Sequence, residues 1–180
     1  MANKFLIEGI DRLGKSSLVA SIQQVRGYHV VIHHSKPLKL ECYNFSPLEY
    51  QQHTFRSMFS MLRDARYTPI ICDRAHLGEA VYGPMYRQTS GDYVFDLEQA
   101  FEMHMTYNTR LVLLTEDFDI AEHFVDDGES FDITKRRSEQ QLFLNAFERS
   151  LMPDKRVVSV TDPGTGGFKR REQILAEVLE

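Results

Sequence analysis

The sequence lacks several features that mark particular protein classes. It contains no tryptophan, and its only cysteines are Cys42 and Cys72. It has no C-x-x-C pair and no acidic-flanked histidine pair, so it predicts no structural metal site. Cys72 lies in an apolar run, and two thiols indicate a reduced, cytosolic protein, although the sequence alone leaves a disulfide between them open.

Long apolar runs and excess positive charge are also missing. No apolar run approaches the ~20 residues that a membrane-spanning helix needs, and the N-terminus has no signal-peptide pattern. The formal net charge of −5 argues against binding of polymeric nucleic acid, whose footprint is usually basic. We therefore expect no membrane or polymeric nucleic acid as partner, and one domain over residues 1–180.

One short segment near the N-terminus carries a specific motif. Residues 9–16, Gly-Ile-Asp-Arg-Leu-Gly-Lys-Ser, fit G-x-x-x-x-G-K-[ST], the loop that holds the polyphosphate of ATP or GTP. The apolar run 4–8 predicts a buried strand before it, and residues 17–25 predict a helix after it. We expect backbone N–H groups to face the phosphates, Lys15 to reach the β- and γ-phosphates, and the Ser16 hydroxyl to bind Mg²⁺.

Short apolar runs alternate with helical patterns along the rest of the chain. Like the first, the further runs are rich in Val, Ile and Leu, as in strands covered on both faces, and lie at 28–33, 69–72, 110–115 and 156–161. Apolar residues at helical spacing occur at about 48–66, 93–107, 138–151 and 168–179. The pattern predicts an α/β fold, a five-stranded parallel sheet with helices on both faces. Ligands of such sheets bind at the carboxyl ends of the strands.

A charged pair follows the third predicted strand. Asp73 would lie beside the phosphate loop, where a carboxylate can orient Mg²⁺ directly or through water. Arg74 could hold a second phosphate through two N–H groups, and a structural ion pair is the alternative interpretation of both residues. The chain has no Asn-Lys-x-Asp motif and this strand does not end in Asp-Glu, which disfavours a GTPase and a hydrolysing motor.

Charge is unevenly distributed between the fourth strand and the following helix. Residues 116–132 contain many acidic side chains and no Lys or Arg, and Lys135-Arg136-Arg137 follow soon after. One interpretation is a solvated acidic helix with a basic continuation. The other is a mobile lid at about 124–138 whose basic tip, with Arg136, closes on phosphates.

These residues resemble a known family of kinases. Segment 9–17, with Asp-Arg inside the loop, resembles the opening of thymidylate kinases, and residues 71–74 resemble that family's Asp-Arg motif. The stretch 73–87 is similar to thymidylate kinase-like proteins of bacteriophages. The resemblance implies a three-layer P-loop kinase fold with a short lid, and Mg²⁺-dependent transfer of the ATP γ-phosphoryl group to a deoxynucleoside monophosphate, dTMP first, in nucleotide biosynthesis. It also suggests a homodimer, in the host cytoplasm if the chain is viral.

The resemblance also implies roles for individual residues. Asp11 matches a carboxylate that faces the substrate sugar, and Arg12 matches an arginine that stabilises charge on the transferred group. Arg74 matches the arginine on the acceptor phosphate. The implied catalytic set is Arg12, Lys15, Asp73 and Arg74, and the metal ligands are Ser16 and Asp73. The implied ATP and phosphate set is Gly9, Asp11, Arg12, Leu13, Gly14, Lys15, Ser16, Ser17 and Arg136.

The acceptor side departs from the family pattern. The family follows its second strand with Phe-Pro and an arginine, whereas this chain has His33-His34-Ser35-Lys36-Pro37. Lys36 could replace that arginine as a point charge but not as a bidentate fork. No Phe lies clearly where the family stacks the thymine, so Tyr50 and His53 are the nearest candidates. The expected substrate-binding set is Asp11, Lys36, Tyr50, His53, Arg74, Glu79 and Tyr82, with helix surface and core as the alternative for the last two.

Two other functions remain open at this level. A monophosphate needs no general base, whereas a nucleoside kinase would use a carboxylate to accept a hydroxyl proton, and Asp11, Asp73 and Glu79 are candidates for that base. The third interpretation is a nucleotide-binding module without catalysis. The adenine pocket is weakly marked, and we expect it at residues 161–165 together with lid residues.

Overall fold

The computed structural model describes residues 2–34, 46–117 and 135–180. Five parallel strands form the central sheet in the order β2-β3-β1-β4-β5. These strands are β1 (Lys4–Glu8), β2 (Val30–His33), β3 (Ile70–Asp73), β4 (Thr109–Thr115) and β5 (Asp154–Ser159). The predicted five-stranded parallel sheet is confirmed, with strand ends that differ from the expected ones by at most two residues.

Helices surround this sheet in an α/β architecture of three layers. They are α1 (Lys15–Arg26), α2 (Pro47–Asp64), α3 (Leu77–Tyr82), α4 (Tyr93–Ala100), α5 (Arg136–Arg149) and α6 (Arg171–Leu179). Helix α1 packs beside α6, while α2 packs beside α4 and α3 beside α5. Within the described residues, none of these helices is long and apolar enough to cross a membrane.

Three local features differ from the sequence-based expectation. The predicted helix over 93–107 is wrong as a single element, because Glu102 adopts a left-handed φ of 53° and separates α4 from a 3₁₀ turn at Met103–Met105. A short antiparallel hairpin, β6 (Thr161–Asp162) with β7 (Gly167–Phe168), follows β5 where we expected strand and loop. Helix α3 was expected only as the alternative interpretation of Glu79 and Tyr82, and the π-helical turn Gly83–Arg87 after it was not predicted.

The N-terminus of α2 and its buried face follow from its sequence. Ser46 accepts a hydrogen bond from the Glu49 N–H, and the Glu49 carboxylate accepts one from the Ser46 N–H, which forms a capping box. Apolar side chains at helical spacing, Phe55, Phe59 and Leu62, are buried in the hydrophobic core. The expected helix at about 48–66 is thereby confirmed.

The register of the sheet brings charged residues to one edge. Ile7 pairs with Asp73 across the β1–β3 ladder, and His33 pairs with Asp73 across the β2–β3 ladder. Because all these strands are parallel, their carboxyl ends open onto the same edge. Residues that follow β1, β2 and β3 in the sequence therefore meet there.

A buried carboxylate ties three elements together behind this edge. Glu98 of α4 is fully buried and accepts hydrogen bonds from the Ser150 hydroxyl and the Leu151 N–H, both at 2.6 Å. The His76 ring nitrogen Nε2 lies 2.6 Å from the same side chain. Burial opposes the charged form, but His76 and these hydrogen bonds together hold the pKa of Glu98 below its usual range. The ionised carboxylate therefore stabilises the fold.

We predict that Glu98→Ala lowers the free energy of unfolding by about 3–5 kcal/mol at neutral pH, because it leaves buried partners unpaired. The folded pKa is below the unfolded one, so this stabilisation is complete above about pH 4.3 and is lost as the pH falls through the folded value. Urea unfolding of both proteins from pH 7 to pH 3 measures it. The control is Asp92→Ala, which removes an exposed pair with Arg149 and should cost about 0–1 kcal/mol. Equal losses for the two variants would contradict the prediction.

Candidate functional site

The loop between β1 and α1 has the backbone that the motif predicts. Gly14 is the N-cap of α1 with a φ of 79°, and no side chain caps the helix. A Cβ on Gly14 would meet no atom within 4 Å, whereas a Cβ on Gly9 would lie 2.5 Å from the Leu114 carbonyl oxygen. The first glycine is thus required by close packing on β4, and the second leaves the helix N-terminus open. Such an N-terminus fits an anionic phosphate group.

Lys15 is buried inside this loop. Its Nζ donates to the carbonyl oxygens of Gly9 at 2.8 Å and Ile10 at 2.6 Å. Burial, followed by the nearby charge of Arg74, lowers the pKa of Lys15 to about 8, although Asp11 and neighbouring carboxylates oppose the shift. An anion bound beside this ammonium would restore its preference for the charged form, so the position favours a phosphate.

Ser16 and Asp73 form the second part of the site. The Ser16 hydroxyl donates to Asp73 Oδ2 at 2.7 Å, and His33 Nδ1 lies 3.2 Å from the same oxygen. A hydroxyl beside a carboxylate is a ligand pair that suits Mg²⁺, which usually keeps waters and substrate oxygens as its other ligands. Within the described residues, no group of three or more His, Cys, Asp or Glu side chains could hold a metal ion. This pair therefore fits a substrate-bound Mg²⁺ better than an all-protein metal site.

Asp11 and Arg74 meet across the gap between the two strand ends. Arg74 Nη2 donates to Asp11 Oδ1 at 2.5 Å, and both side chains are about half exposed. Lys15 Nζ lies 3.9 Å from the same Asp11 oxygen. Although burial opposes its charge, Asp11 holds the pKa of Arg74 above its ordinary value. The structure thus places the predicted acceptor-phosphate arginine next to the loop that is predicted to hold ATP. Arg12 is half-buried with a left-handed φ of 67°.

Arg136 lies deeper than a lid tip would. It is 1% exposed, donates to both Glu116 oxygens at 2.6 and 2.7 Å, and reaches the Asp11 carbonyl oxygen at 3.0 Å. Gln140 reinforces the contact by exchanging two hydrogen bonds of 2.8 Å with the Glu116 backbone. Arg136 therefore anchors α5 to β4 and to the phosphate loop, and its expected contact with ATP stays a prediction. The rest of the proposed lid, 124–134, lies outside the described residues.

The substrate-side candidates have different surroundings. Glu79 is buried and accepts from Arg87 Nη2 at 2.5 Å, and burial raises its pKa despite that partner. Tyr82 lies edge-on to Phe143 at 5.5 Å, and its buried hydroxyl has no hydrogen-bond partner among the residues that the structure describes. The charges of Asp11, Arg74 and other nearby groups act on this hydroxyl, so Tyr82 is on the side of the acceptor arginine.

The other residues of the predicted acceptor site give less evidence about what binds there. Tyr50 and His53 are exposed on α2, and their contact with a base stays a prediction. Lys36 lies outside the described residues. Sequence reasoning assigned Phe55 to the helical core, but its ring also stacks on His34 at 4.8 Å, directly after β2. Helical periodicity gave no signal for this contact, because it depends on where the strand ends.

No protein-family model and no curated protein matches the chain. Among solved structures, the YorR protein from Bacillus subtilis, in complex with phosphorylated GDP, aligns with a TM-score of 0.66 and 16% identity over 98% of this chain and 93% of its own. Thymidylate kinase from Ehrlichia chaffeensis aligns with a TM-score of 0.56 and 13% identity, over 98% and 96%. The chain has the P-loop kinase fold. At these identities the likeness shows the fold alone.

We predict that Lys15→Ala weakens ATP binding about 10- to 100-fold, because one charge-assisted contact with a phosphate is lost from a buried position. Titration calorimetry with ATP and Mg²⁺ measures the effect. Lys169→Ala, which removes an ammonium paired with Glu177 beside α6, is the matched control and should bind ATP as the wild type does. Unchanged affinity in Lys15→Ala would show that the loop is not the ATP site.

Proposed function

We propose that this protein transfers the γ-phosphoryl group of ATP to a deoxynucleoside monophosphate, with dTMP as the first candidate. The observation that carries the proposal is the contact of Arg74 with Asp11, within reach of Lys15. This arrangement places a cationic group on each side of one short gap, Arg74 on one side and Lys15 of the phosphate loop on the other. An ATPase needs only the loop side, whereas a phosphorylated acceptor needs a second cation.

Each side of the gap has a distinct task in this reaction. The loop N–H groups and Lys15 bind the ATP phosphates, and Arg12 stabilises charge on the group in transfer. The Ser16 hydroxyl and the Asp73 carboxylate would hold Mg²⁺, which when bound neutralises charge on the phosphates. An oxygen of the acceptor phosphate bonds to the γ-phosphorus as the bond to the bridging oxygen breaks, and ADP leaves with the electron pair.

The ion pair of Asp11 with Arg74 would be exchanged when the acceptor arrives. The acceptor phosphate is largely a dianion at neutral pH, since its second pKa is about 6, and it can replace the Asp11 carboxylate on Arg74. Asp11 is then released toward a sugar hydroxyl, the contact that the sequence predicts for it. No general base is required, because the attacking oxygen is already deprotonated.

A nucleoside kinase is the second candidate, and one observation favours it. The buried carboxylate of Glu79 has a raised pKa, as a base that accepts a hydroxyl proton should have. However, Arg87 already occupies a Glu79 oxygen. A binding module without catalysis is a weaker candidate, since Lys15, Ser16 and Asp73 are all in place.

The deciding experiment is ADP formation from ATP and Mg²⁺ against a panel of deoxynucleoside monophosphates and free nucleosides, with Lys15→Ala as the blank. Turnover with a monophosphate supports the proposal and shows which base is preferred. Turnover with nucleosides alone transfers the assignment to the second candidate. ATP binding without any acceptor-dependent turnover supports the binding module.

We predict that Arg12→Ala reduces kcat about 10³-fold or more, the scale seen for arginines that stabilise the transferred phosphoryl group. Steady-state kinetics with saturating ATP and acceptor measure it. Arg149→Ala removes an exposed arginine paired with Asp92 and serves as the control. A loss of only about twofold for Arg12→Ala would remove Arg12 from the catalytic set.

We predict a different pattern for Arg74→Ala. The KM for the monophosphate should rise at least tenfold, the scale of one lost charge-assisted hydrogen bond, while the KM for ATP stays within about twofold. Arg74→Lys should recover part of the loss, because it restores charge but not the bidentate geometry. Equal changes in both KM values would place Arg74 on the ATP side instead.

A further inference from the structure

Glu8, the last residue of β1, has a buried carboxylate, and phosphate binding does not explain why a carboxylate lies at this position. Glu8 is 1% exposed and directly precedes Gly9 of the phosphate loop. Burial raises its pKa, while His76, backbone N–H groups and Lys15 act in the opposite direction. A carboxylate in such a position is costly unless hydrogen bonds satisfy it, so the partners of Glu8 show what it does.

These partners belong to the turn between β3 and α3. Glu8 Oε1 accepts from the Leu77 N–H at 2.8 Å, and the Ala75 N–H lies within reach of the same carboxylate. The Leu77 N–H is at the start of α3, where N–H groups have no partner within the helix, and Ala75 directly precedes the N-cap. His76, the N-cap of α3, provides no side-chain cap. Glu8 therefore caps α3 from a different element of the fold.

The same turn contains a residue in an unfavourable backbone conformation. Arg74 has a φ of 68°, in the left-handed region that costs a non-glycine residue free energy. Its N–H donates to the Ile7 carbonyl oxygen at 3.0 Å. The last two residues of β1 thus bind this turn at Arg74 itself, through the Ile7 carbonyl, and at the residues that follow Arg74, through the Glu8 carboxylate. Strained conformations persist only where the surroundings determine them in this way.

The conformation of this turn sets the direction of the Arg74 side chain. With it, the guanidinium reaches Asp11 in the phosphate loop, although the two residues are far apart in sequence. We propose that Glu8 is a positioning residue, whose carboxylate fixes the turn from Arg74 to Leu77 and so directs the Arg74 guanidinium to the acceptor phosphate. The proposal rests on the function proposed above, and it adds a residue that touches neither ATP nor the acceptor.

Glu8→Gln is the test variant, because it keeps the shape but replaces one acceptor oxygen with an N–H₂ group that faces an N–H donor. The KM for the monophosphate should rise about tenfold or more, with the KM for ATP within about twofold. Asp154→Asn, which alters a carboxylate paired with Arg110 at the opposite edge of the sheet, is the control. Equal changes of both KM values, or none, would overturn the proposal.

A double-mutant cycle separates positioning from general destabilisation. If Glu8 acts through Arg74, then Glu8→Gln should change the acceptor KM by less than about twofold once Arg74 is already alanine, because the two effects share one contact. Additive effects would show that Glu8 acts on the acceptor by another route and would overturn the proposal. Thermal unfolding of all four proteins accompanies the kinetics.

Amide hydrogen exchange tests the turn without any activity. In the wild type, the Ala75 and Leu77 amides should be protected, and in Glu8→Gln they should exchange at least tenfold faster while β4 is unchanged. Unprotected amides in the wild type would refute the cap, even if the variant fails to fold. Turnover of the wild type tests the proposed function, and amide exchange tests whether Glu8 fixes the turn. A failure of the proposed function is therefore distinguishable from a failure of the positioning role of Glu8.

Discussion

The parallel pairing of β1 with β3 determines where Asp73 and Arg74 lie relative to the phosphate loop. Ile7 stands opposite Asp73 in that ladder, so the phosphate loop and the β3–α3 turn leave the sheet side by side. Residues far apart in sequence then need only short side-chain reaches to meet. A shift of one residue in this register would turn Asp73 away from Ser16 and separate Arg74 from Asp11. The geometry of the site is therefore a property of the buried sheet, which its apolar strands specify strongly.

The site is built as a set of mutually neutralised charges. Lys15 and Arg74 lie beside Asp11, and Asp73 accepts from Ser16. Without such compensation, an ammonium as deeply buried as that of Lys15 would lose much of its charge. A phosphate that enters this set replaces one anion with another, so the cations need not move far.

Sequence reasoning was most successful where one local pattern fixes one element. The loop motif, the five strands and α2 each have such a pattern, and each was predicted close to its observed position. Helix α3 was expected only as an alternative, because it is short and because no local signal reveals that Glu8, a residue of β1, caps its start. The division of the predicted helix 93–107 has a similar cause, since Glu102 adopts a conformation that its side chain does not favour. The pairing of Arg136 with Glu116 was not predicted, because the only visible pattern of the segment that contains Glu116 is its acidic composition.

Two buried carboxylates bind the turn that carries Arg74, and each comes from a different element of the fold. Glu8 holds it from β1 through backbone N–H groups, and Glu98 holds it from α4 through the His76 ring. Neither carboxylate needs to contact a ligand, yet each lies where apolar packing would be less costly. Apolar side chains could fill the same volume, but they could not bind N–H groups that have no partner within their helix. We therefore interpret Glu8 as an acid whose burial is costly but whose hydrogen bonds fix the direction of the Arg74 guanidinium, while Glu98 holds His76 in place within the fold. These hydrogen bonds also explain why Arg74 keeps a left-handed backbone conformation.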